Sequence, residues 1–174
     1  DAGMNGKTLL TVEDLHVRFP IRSGLLQRVT SEVKAVSGVS FDVMKGEAFG
    51  IVGESGCGKT TVARAILRLE DSSEGRISYD GEDITNLTSR QLASYRRKVQ
   101  AVFQDPFSSL NPRKTTNDII GEPLRVHGLA TGDGIQKRVN ELLELCELPA
   151  RFAELYPHEM SGGQRQRVGI ARAL

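Results

Sequence analysis

Cysteine is scarce in this chain of 174 residues: Cys57 and Cys146 are the only two, far apart and in no Cys-x-x-Cys pair. That spacing excludes a disulfide framework and argues against a structural zinc site. It leaves two reduced thiols, the pattern of a reducing compartment. An excess of either charge is also missing. Lys and Arg total 23 against 22 Asp and Glu, a formal net charge of +1. A general nucleic-acid-coating protein is thereby excluded, though a local basic patch is not. No apolar run approaches the roughly 20 residues that span a bilayer. The polar residues Asn5-Gly6-Lys7-Thr8 after Met4 do not read as a signal peptide. Asp1-Ala2-Gly3, ahead of a plausible initiator Met4, read as an expression scar. The three histidines, His16, His127 and His158, are scattered and suggest no metal site. Internal repeats and low-complexity tracts are absent. The length suits about one domain, enough to bury a sizeable core.

The hydrophobic pattern places strands early and helices late. Leu10, Val12, Leu15, Val17 and Phe19 make Leu9 to Phe19 a strand that Pro20 ends. Ile21 to Glu32 has no period and reads as a loop, and Val33 to Val43 as a second strand. After a turn at Lys45-Gly46-Glu47, the apolar run Ala48 to Val52 reads as a buried parallel strand. Thr60 to Leu69 follows a helical period. Gly75 to Gly81 looks like a strand and turn. Ser89 to Lys98 is a basic helix with Ser89 as N-cap, and Val99 to Phe103 a further short strand. Asp105 to Pro112 is a loop by its two prolines. Ile119, Ile120, Leu124 and Val126 suit a helix that Pro123 must bend or interrupt. Ile135, Val139, Leu142, Leu143 and Cys146 suit a second helix. A short piece runs from Pro149 to Pro157, and Gly163 to Leu174 is a final helix.

Between the Ala48 strand and the Thr60 helix lies Gly53-Glu54-Ser55-Gly56-Cys57-Gly58-Lys59-Thr60, a full G-x-x-x-x-G-K-[ST] match in the context that motif requires. Glycine lets the backbone wrap phosphate oxygens, amide N–H groups point inward, and the helix N-terminus adds positive potential. Lys59 supplies a point charge for the β and γ phosphates, the Thr60 hydroxyl a ligand for Mg²⁺, and Thr61 a further phosphate hydrogen bond. The residues thus describe a P-loop that binds a nucleoside triphosphate, without saying of which kind. Cys57 is either filler in that loop or a thiol activated by the helix N-terminus.

A second candidate cradle opens the last helix. In Met160-Ser161-Gly162-Gly163-Gln164-Arg165-Gln166-Arg167, Ser161 as N-cap puts Gln164 at N3, the spacing of a capping box. Gly162 and Gly163 leave the first amides bare, at a cost in helix propensity of about 1 kcal/mol each. Either this is an ordinary capped helix start or a second anion site.

Ser161-Gly162-Gly163-Gln164 followed by Arg167 resembles the signature of the ATP-binding-cassette (ABC) ATPases, and Gln104-Asp105-Pro106 resembles their glutamine loop. Gln104 to Pro112, Tyr156-Pro157-His158-Glu159 and Val33 to Phe41 are similar to the oligopeptide and dipeptide importer branch. The likeness runs from Leu9 to Leu174. It implies an α/β fold: a P-loop NTPase (RecA-like) core with N-terminal antiparallel β strands and a helical subdomain, here incomplete. On that reading 4–105 is the N-terminal part of the nucleotide-binding core and 106–157 the glutamine loop and helical subdomain. Residues 158–174 are the signature motif and the following helix. The Walker B strand, D-loop and switch histidine are absent.

The resemblance further implies ATP and Mg²⁺ as ligands. Gly53, Glu54, Ser55, Gly56, Cys57, Gly58, Lys59, Thr60 and Thr61 would hold the phosphates. Thr60 and Gln104 would reach the metal, and Gln104 and Lys59 would serve the reaction. Ser161, Gly162, Gly163 and Gln164 would bind the γ-phosphate held by another subunit's P-loop, in a head-to-tail dimer of two ATPase subunits. Phe19 is the nearest match to the aromatic that stacks on adenine, the alternative being a core strand residue. The helical segment from roughly Asn117 to Pro157 would face transmembrane permease subunits, with an extracytoplasmic substrate-binding protein involved indirectly and no nucleic acid. The chain would lie peripherally at the cytoplasmic face of the cell membrane. Its parent would couple ATP hydrolysis to import of peptides or a related small solute.

The family's strand ending in Asp-Glu is not found. Val99 to Asp105 imitates it, but Gln100 and Gln104 break the run and Pro106 stands where the glutamate belongs. We therefore expect weak nucleotide binding, little turnover and exposed apolar surface. Three rivals stay open. One is a P-loop small-molecule kinase using Arg96, Arg97 and Lys98 as a phosphate clamp. Another is a non-hydrolysing nucleotide-binding fragment. The third is a soluble cassette ATPase of DNA repair or translation.

Overall fold

The computed structural model describes residues 6–23 and 28–174, excepting the side chains of 22, 23, 28–30, 106 and 107. The chain divides between Arg96 and Arg97 into two compact units.

The first unit is built on an antiparallel sheet of order β2-β1-β3-β4, from β1 (Thr8–Ser23), β2 (Arg28–Met44), β3 (Glu74–Tyr79) and β4 (Glu82–Asp83). Side chains alternate faces along a strand, yet Val12 and Leu15 are both buried at an odd spacing. A bulge resolves this. Val12 pairs with Phe41 but Leu15 with Val39, so β1 carries one extra residue there and Asp14 takes φ 45°. Gly75 of β3 lies against the bulge at φ 92°, where a Cβ would stand 2.3 Å from the Asp14 carbonyl oxygen. Helices α1 (Lys59–Ile66) and α2 (Ser89–Lys98) belong with this sheet. Val62 and Ala65 of α1, Tyr95 of α2, and Val12, Leu15, Val17, Val36, Ile77 and Ile84 are its buried apolar residues.

The hairpin is longer than its sequence pattern. The residues at 21–23 and 28–32, read as loop, are strand, and Pro20 sits inside β1 opposite Glu32. The last β1–β3 pair is His16 with Glu74. Beyond it β1 is paired on one side only among the described residues, where a proline without an N–H is tolerated. The cap of α2 also moves by one residue. The Thr88 hydroxyl accepts from the Gln91 N–H at 3.4 Å while the Gln91 side chain accepts from the Thr88 N–H at 3.0 Å, so Thr88 caps rather than Ser89.

The second unit is helical: α3 (Pro106–Ser109), α4 (Thr116–Val126), α5 (Asp133–Leu145), 3₁₀ turns Ala150–Glu154 and Pro157–Glu159, and α6 (Gly162–Ala173). Its core joins Ile119, Ile120 and Leu124 of α4 to Val139, Leu142 and Leu143 of α5 and Val168 and Ala171 of α6. That is the spacing read from the sequence. One local expectation fails and a second is narrowed. The loop Asp105–Pro112 contains α3, for which Pro106 is a suitable first residue. Pro123 does not interrupt α4, which runs unbroken with Thr115 as its cap. The proline forfeits one donor to the Ile119 carbonyl, and burial of the apolar face on both sides of it holds the helix.

Ala48 to Val52, read as a buried parallel strand, and Val99 to Phe103, read as a further short strand, form no ladder among the described residues. Val52 is 92% exposed, and Phe49, Ile51, Val102 and Phe103 lie between 42 and 48%. A parallel strand gains its bonds from neighbours on its flanks, and the described strands all belong to the antiparallel sheet. Phe49 instead stacks on Phe41, ring centres 4.9 Å apart. The apolar exposure expected from the sequence is present at these positions.

Candidate functional site

The glycine-rich loop delivers the chain into α1, and its geometry follows from its glycines. Gly56 and Gly58 take φ 83° and 96°, the left-handed region that glycine enters without steric cost. Gly58 is also where two backbones meet. A Cβ there would stand 2.3 Å from the Ala35 carbonyl oxygen. Ala35 is itself the extra residue of a bulge, since Val17 pairs with Val36 and Arg18 with Lys34. The β2 bulge thus turns a carbonyl onto the loop at the point where α1 begins, a contact with no local signal in the sequence beyond the glycine.

Gly58 caps α1 without a side-chain hydrogen bond, and the helix has no acidic residue in its first turn. The first intrahelical bond runs from the Val62 N–H to the Gly58 carbonyl at 2.9 Å. The amides ahead of it are left to a ligand, with the positive end of the helix dipole behind them. The Lys59 ammonium folds back over the loop and donates to the carbonyls of Gly53 at 2.8 Å and Glu54 at 2.6 Å. It also lies 3.5 Å from the Cys57 sulfur. Gly53, Glu54, Ser55, Gly56, Cys57 and Thr60 are exposed, Lys59 and Thr61 half-buried. The loop and the start of α1 therefore gather a cation, open amides, two left-handed glycines and two hydroxyls.

The far end of α1 is held from α2. The Tyr95 hydroxyl donates to the Ile66 carbonyl at 2.8 Å, and the Arg96 guanidinium donates to the Arg68 carbonyl at 3.0 Å. Burial, with the neighbouring Tyr79 adding to it against Arg68, pushes the Tyr95 phenol up to about 12. Arg96 is thus engaged in holding the fold, which disfavours the phosphate clamp imagined for Arg96, Arg97 and Lys98.

Phe19 lies on β1 opposite Val33 and is 38% exposed. Gln104 is exposed in the irregular segment before α3.

In the second unit, Ser161 caps α6 as its spacing requires. Its hydroxyl accepts from the Gln164 N–H at 3.3 Å, and the Gln164 side chain accepts from the Ser161 N–H at 2.9 Å. Having accepted, the hydroxyl keeps its own proton to donate. A Cβ on Gly162 or Gly163 would meet nothing within 4 Å, so these glycines are not demanded by packing. The helix start opens on a cleft of about 340 Å³ that Ser161, Gly163, Gln164, Arg151, Phe152 and Arg167 help to line. Arg167 is steered by Glu147, whose carbonyl accepts from it at 3.3 Å. Among the described residues no three His, Cys, Asp or Glu side chains gather as a metal site. His16 is paired with Asp14 at 3.0 Å, and His158 stacks on Tyr156.

Comparison with known proteins bears on this arrangement. Residues 36–174 match the protein family described as ABC transporter. The oligopeptide transport ATP-binding protein AppF of Bacillus subtilis is 54% identical over 171 residues, 98% of this chain and 52% of that protein. The glutathione import ATP-binding protein GsiA of Escherichia coli is 53% identical over 98% of this chain and 27% of its own length. The chain thus spans about half of one relative and about a quarter of the other. Among solved structures, the dimeric post-hydrolysis state of the ATP-binding cassette MJ0796 bound to ADP and Pi superposes with a TM-score of 0.80 at 32% identity, over 95% of this chain and 69% of that one. CbiO1 of Clostridium perfringens, part of the ABC transporter complex cbiONQ, gives 0.75 at 26% identity, over 96% of this chain and 61% of that one.

Proposed function

The chain belongs to the ABC transporter family, and on that premise we propose that it forms the nucleotide-facing part of an importer's ATP-binding subunit. One observation carries this reading: the Lys59 ammonium resting on the Gly53 and Glu54 carbonyls above the uncapped start of α1. Those carbonyls are weak partners for a full charge, and phosphate oxygens brought to the open amides replace them with charge-assisted bonds. Gly53 to Thr61 wrap the phosphates. Mg²⁺ keeps most of its waters and takes few protein ligands, so a site offering the Thr60 hydroxyl beside bound phosphates fits it. When bound, the metal would neutralise charge between the β and γ phosphates, with Gln104 as a further ligand.

Ser161, Gly162, Gly163 and Gln164 supply a hydroxyl and bare amides to the γ-phosphate held by a second ATPase subunit, packed head to tail. The unpacked glycines of α6 support this, because packing gives no reason for them. Phe19, exposed on β1, is the surface for adenine. Likeness to oligopeptide and glutathione import proteins supports a peptide or related small solute as cargo. Permease subunits in the membrane and a substrate-binding protein outside it are the implied partners. No helix among the described residues is long and apolar enough to cross a membrane, in keeping with a peripheral subunit at the cytoplasmic face.

The carboxylate that polarises water in this family has no counterpart in these residues, since Asp105 is followed by Pro106. A polypeptide of these 174 residues therefore binds nucleotide and turns over little, whereas the parent subunit is an ATPase. MgATP turnover, with Lys59→Ala as control, tests this. Binding that Lys59→Ala abolishes, without turnover, is the expected result. Turnover that depends on Lys59 would make another carboxylate, Asp105 first, the activator of water.

A further inference from the structure

We propose that Tyr95 and Arg96 are positioning residues for the phosphate loop: from α2 they hold the C-terminal end of α1, and so keep its N-terminal amides in register for nucleotide. This rests on the nucleotide reading above and adds to it a pair of residues that touch no ligand.

Helix α1 has only eight residues. A helix that short does not hold itself together in water, because the first turn fixes several dihedrals for each bond gained. Its buried side chains are few, Val62 and Ala65. At its C-terminal end the N–H groups of Leu67, Arg68 and Leu69 close onto the Ala63, Ala65 and Arg64 carbonyls, while the Ile66 and Arg68 carbonyls are taken by side chains from outside the helix. The chain leaves α1 through Arg68 at φ 54°, a left-handed position that glycine usually takes and that costs an ordinary residue about 1–2 kcal/mol. Two α2 side chains fix this turn from the same side. Tyr95 donates to Ile66 and Arg96 to Arg68, at 2.8 and 3.0 Å. The Tyr95 ring is in turn set edge-on against Tyr79 of β3, centres 5.5 Å apart. The path from sheet to helix end is continuous: Tyr79, Tyr95, the Ile66 carbonyl, then two turns of helix to Gly58. A guanidinium and a hydroxyl proton at the negative end of the helix also complement its dipole.

The consequence is a division between affinity and rate. If α1 frays when its far end is released, the amides at 58–61 are in register for only part of the time, and apparent affinity falls by that fraction. Saturating nucleotide restores the register, so the rate at saturation is unchanged. A residue that only stabilised the fold would lower melting temperature and active fraction instead, leaving KM alone.

The test uses the parent ATPase subunit, with MgATP turnover and hydrogen exchange of the α1 amides. Tyr95→Phe removes the hydroxyl and keeps the buried ring; Arg96→Gln acts at an exposed position. Each is expected to raise KM for MgATP about three- to ten-fold, the worth of one hydrogen bond, with kcat unchanged. Exchange at residues 62–67 is faster without nucleotide and returns to the wild-type rate with it. Arg97→Gln, on the same helix, leaves KM unchanged. An unchanged KM in both Tyr95→Phe and Arg96→Gln overturns the proposal, as does a fall in kcat at constant KM. Lys59→Ala separates the two levels. If it binds and turns over nucleotide as wild type does, the nucleotide reading itself fails; if it loses binding while Tyr95→Phe matches wild type, only the positioning role fails.

Discussion

Substituting alanine for Gly58 should damage this chain more than the same change at Gly56, two residues earlier in the same loop. Both glycines are left-handed, at φ 96° and 83°, so alanine at either pays about 1–2 kcal/mol of backbone strain. The positions differ in what a methyl group would meet. At Gly56 there is nothing within 4 Å, whereas at Gly58 the new carbon would stand 2.3 Å from the Ala35 carbonyl oxygen and 3.4 Å from Val36 Cγ2. Ala35 lies between the ladder pairs of Lys34 and Val36, so the strand cannot easily yield. Forcing a group into a filled site costs about 1–3 kcal/mol more. The total for Gly58→Ala is about 2–5 kcal/mol, a large share of the 5–15 kcal/mol that holds a typical domain. Urea denaturation followed by far-UV circular dichroism measures it. With a slope of about 1–3 kcal/mol per molar, the Gly58→Ala midpoint should fall by roughly 1–2 M, and the Gly56→Ala midpoint by clearly less. Equal midpoints for the two variants would refute the claim that the β2 bulge and the loop are locked together at Gly58.

The other expectations concern single groups. Tyr95 titrates at about 12 in the fold against 10.0 unperturbed. Its pKa is raised, so the stability it contributes is complete below pH 10 and is lost as pH rises toward 12; Tyr95→Phe should flatten the alkaline limb of a melting-temperature profile. Cys57 is exposed, while burial pushes the Cys146 thiol up in spite of Arg167. Maleimide should therefore label Cys57 first, and MgATP should protect it; labelling unaffected by MgATP would contradict its place in a phosphate loop. Ser161→Ala should cost the second unit about 1 kcal/mol by loss of the α6 cap, read as a lower melting temperature, with Ser161→Asn close to wild type.

What the sequence made legible was local. The phosphate loop, the Ser161–Gln164 box and the α5 stripe of Val139, Leu142 and Leu143 each depend on residues within a turn or two, where spacing decides structure. The misreadings arise where distant partners decide. Pro20 normally stops a strand, but among the described residues β1 is paired on one side only by the time it arrives. The bulge at Asp14 is invisible until Gly75 is laid against it. Ala48 to Val52 has the composition of a buried strand and pairs with no strand among the described residues. The contact between Gly58 and Ala35, and that between Tyr95 and Ile66, join positions 23 and 29 residues apart by way of backbone carbonyls, and no side-chain pattern announces a carbonyl.

Amide hydrogen exchange across Gly56 to Thr61, with and without MgATP, reaches the central claim most directly. Apart from Cys57, whose N–H donates to the Glu54 carbonyl at 3.3 Å, this stretch carries the N–H groups left open at the start of α1, and nucleotide is expected to slow their exchange in wild type and to have no effect in Lys59→Ala. Nucleotide binding that leaves this stretch exchanging as before, in a chain whose protection appears elsewhere, would contradict the assignment of the phosphate site to this loop.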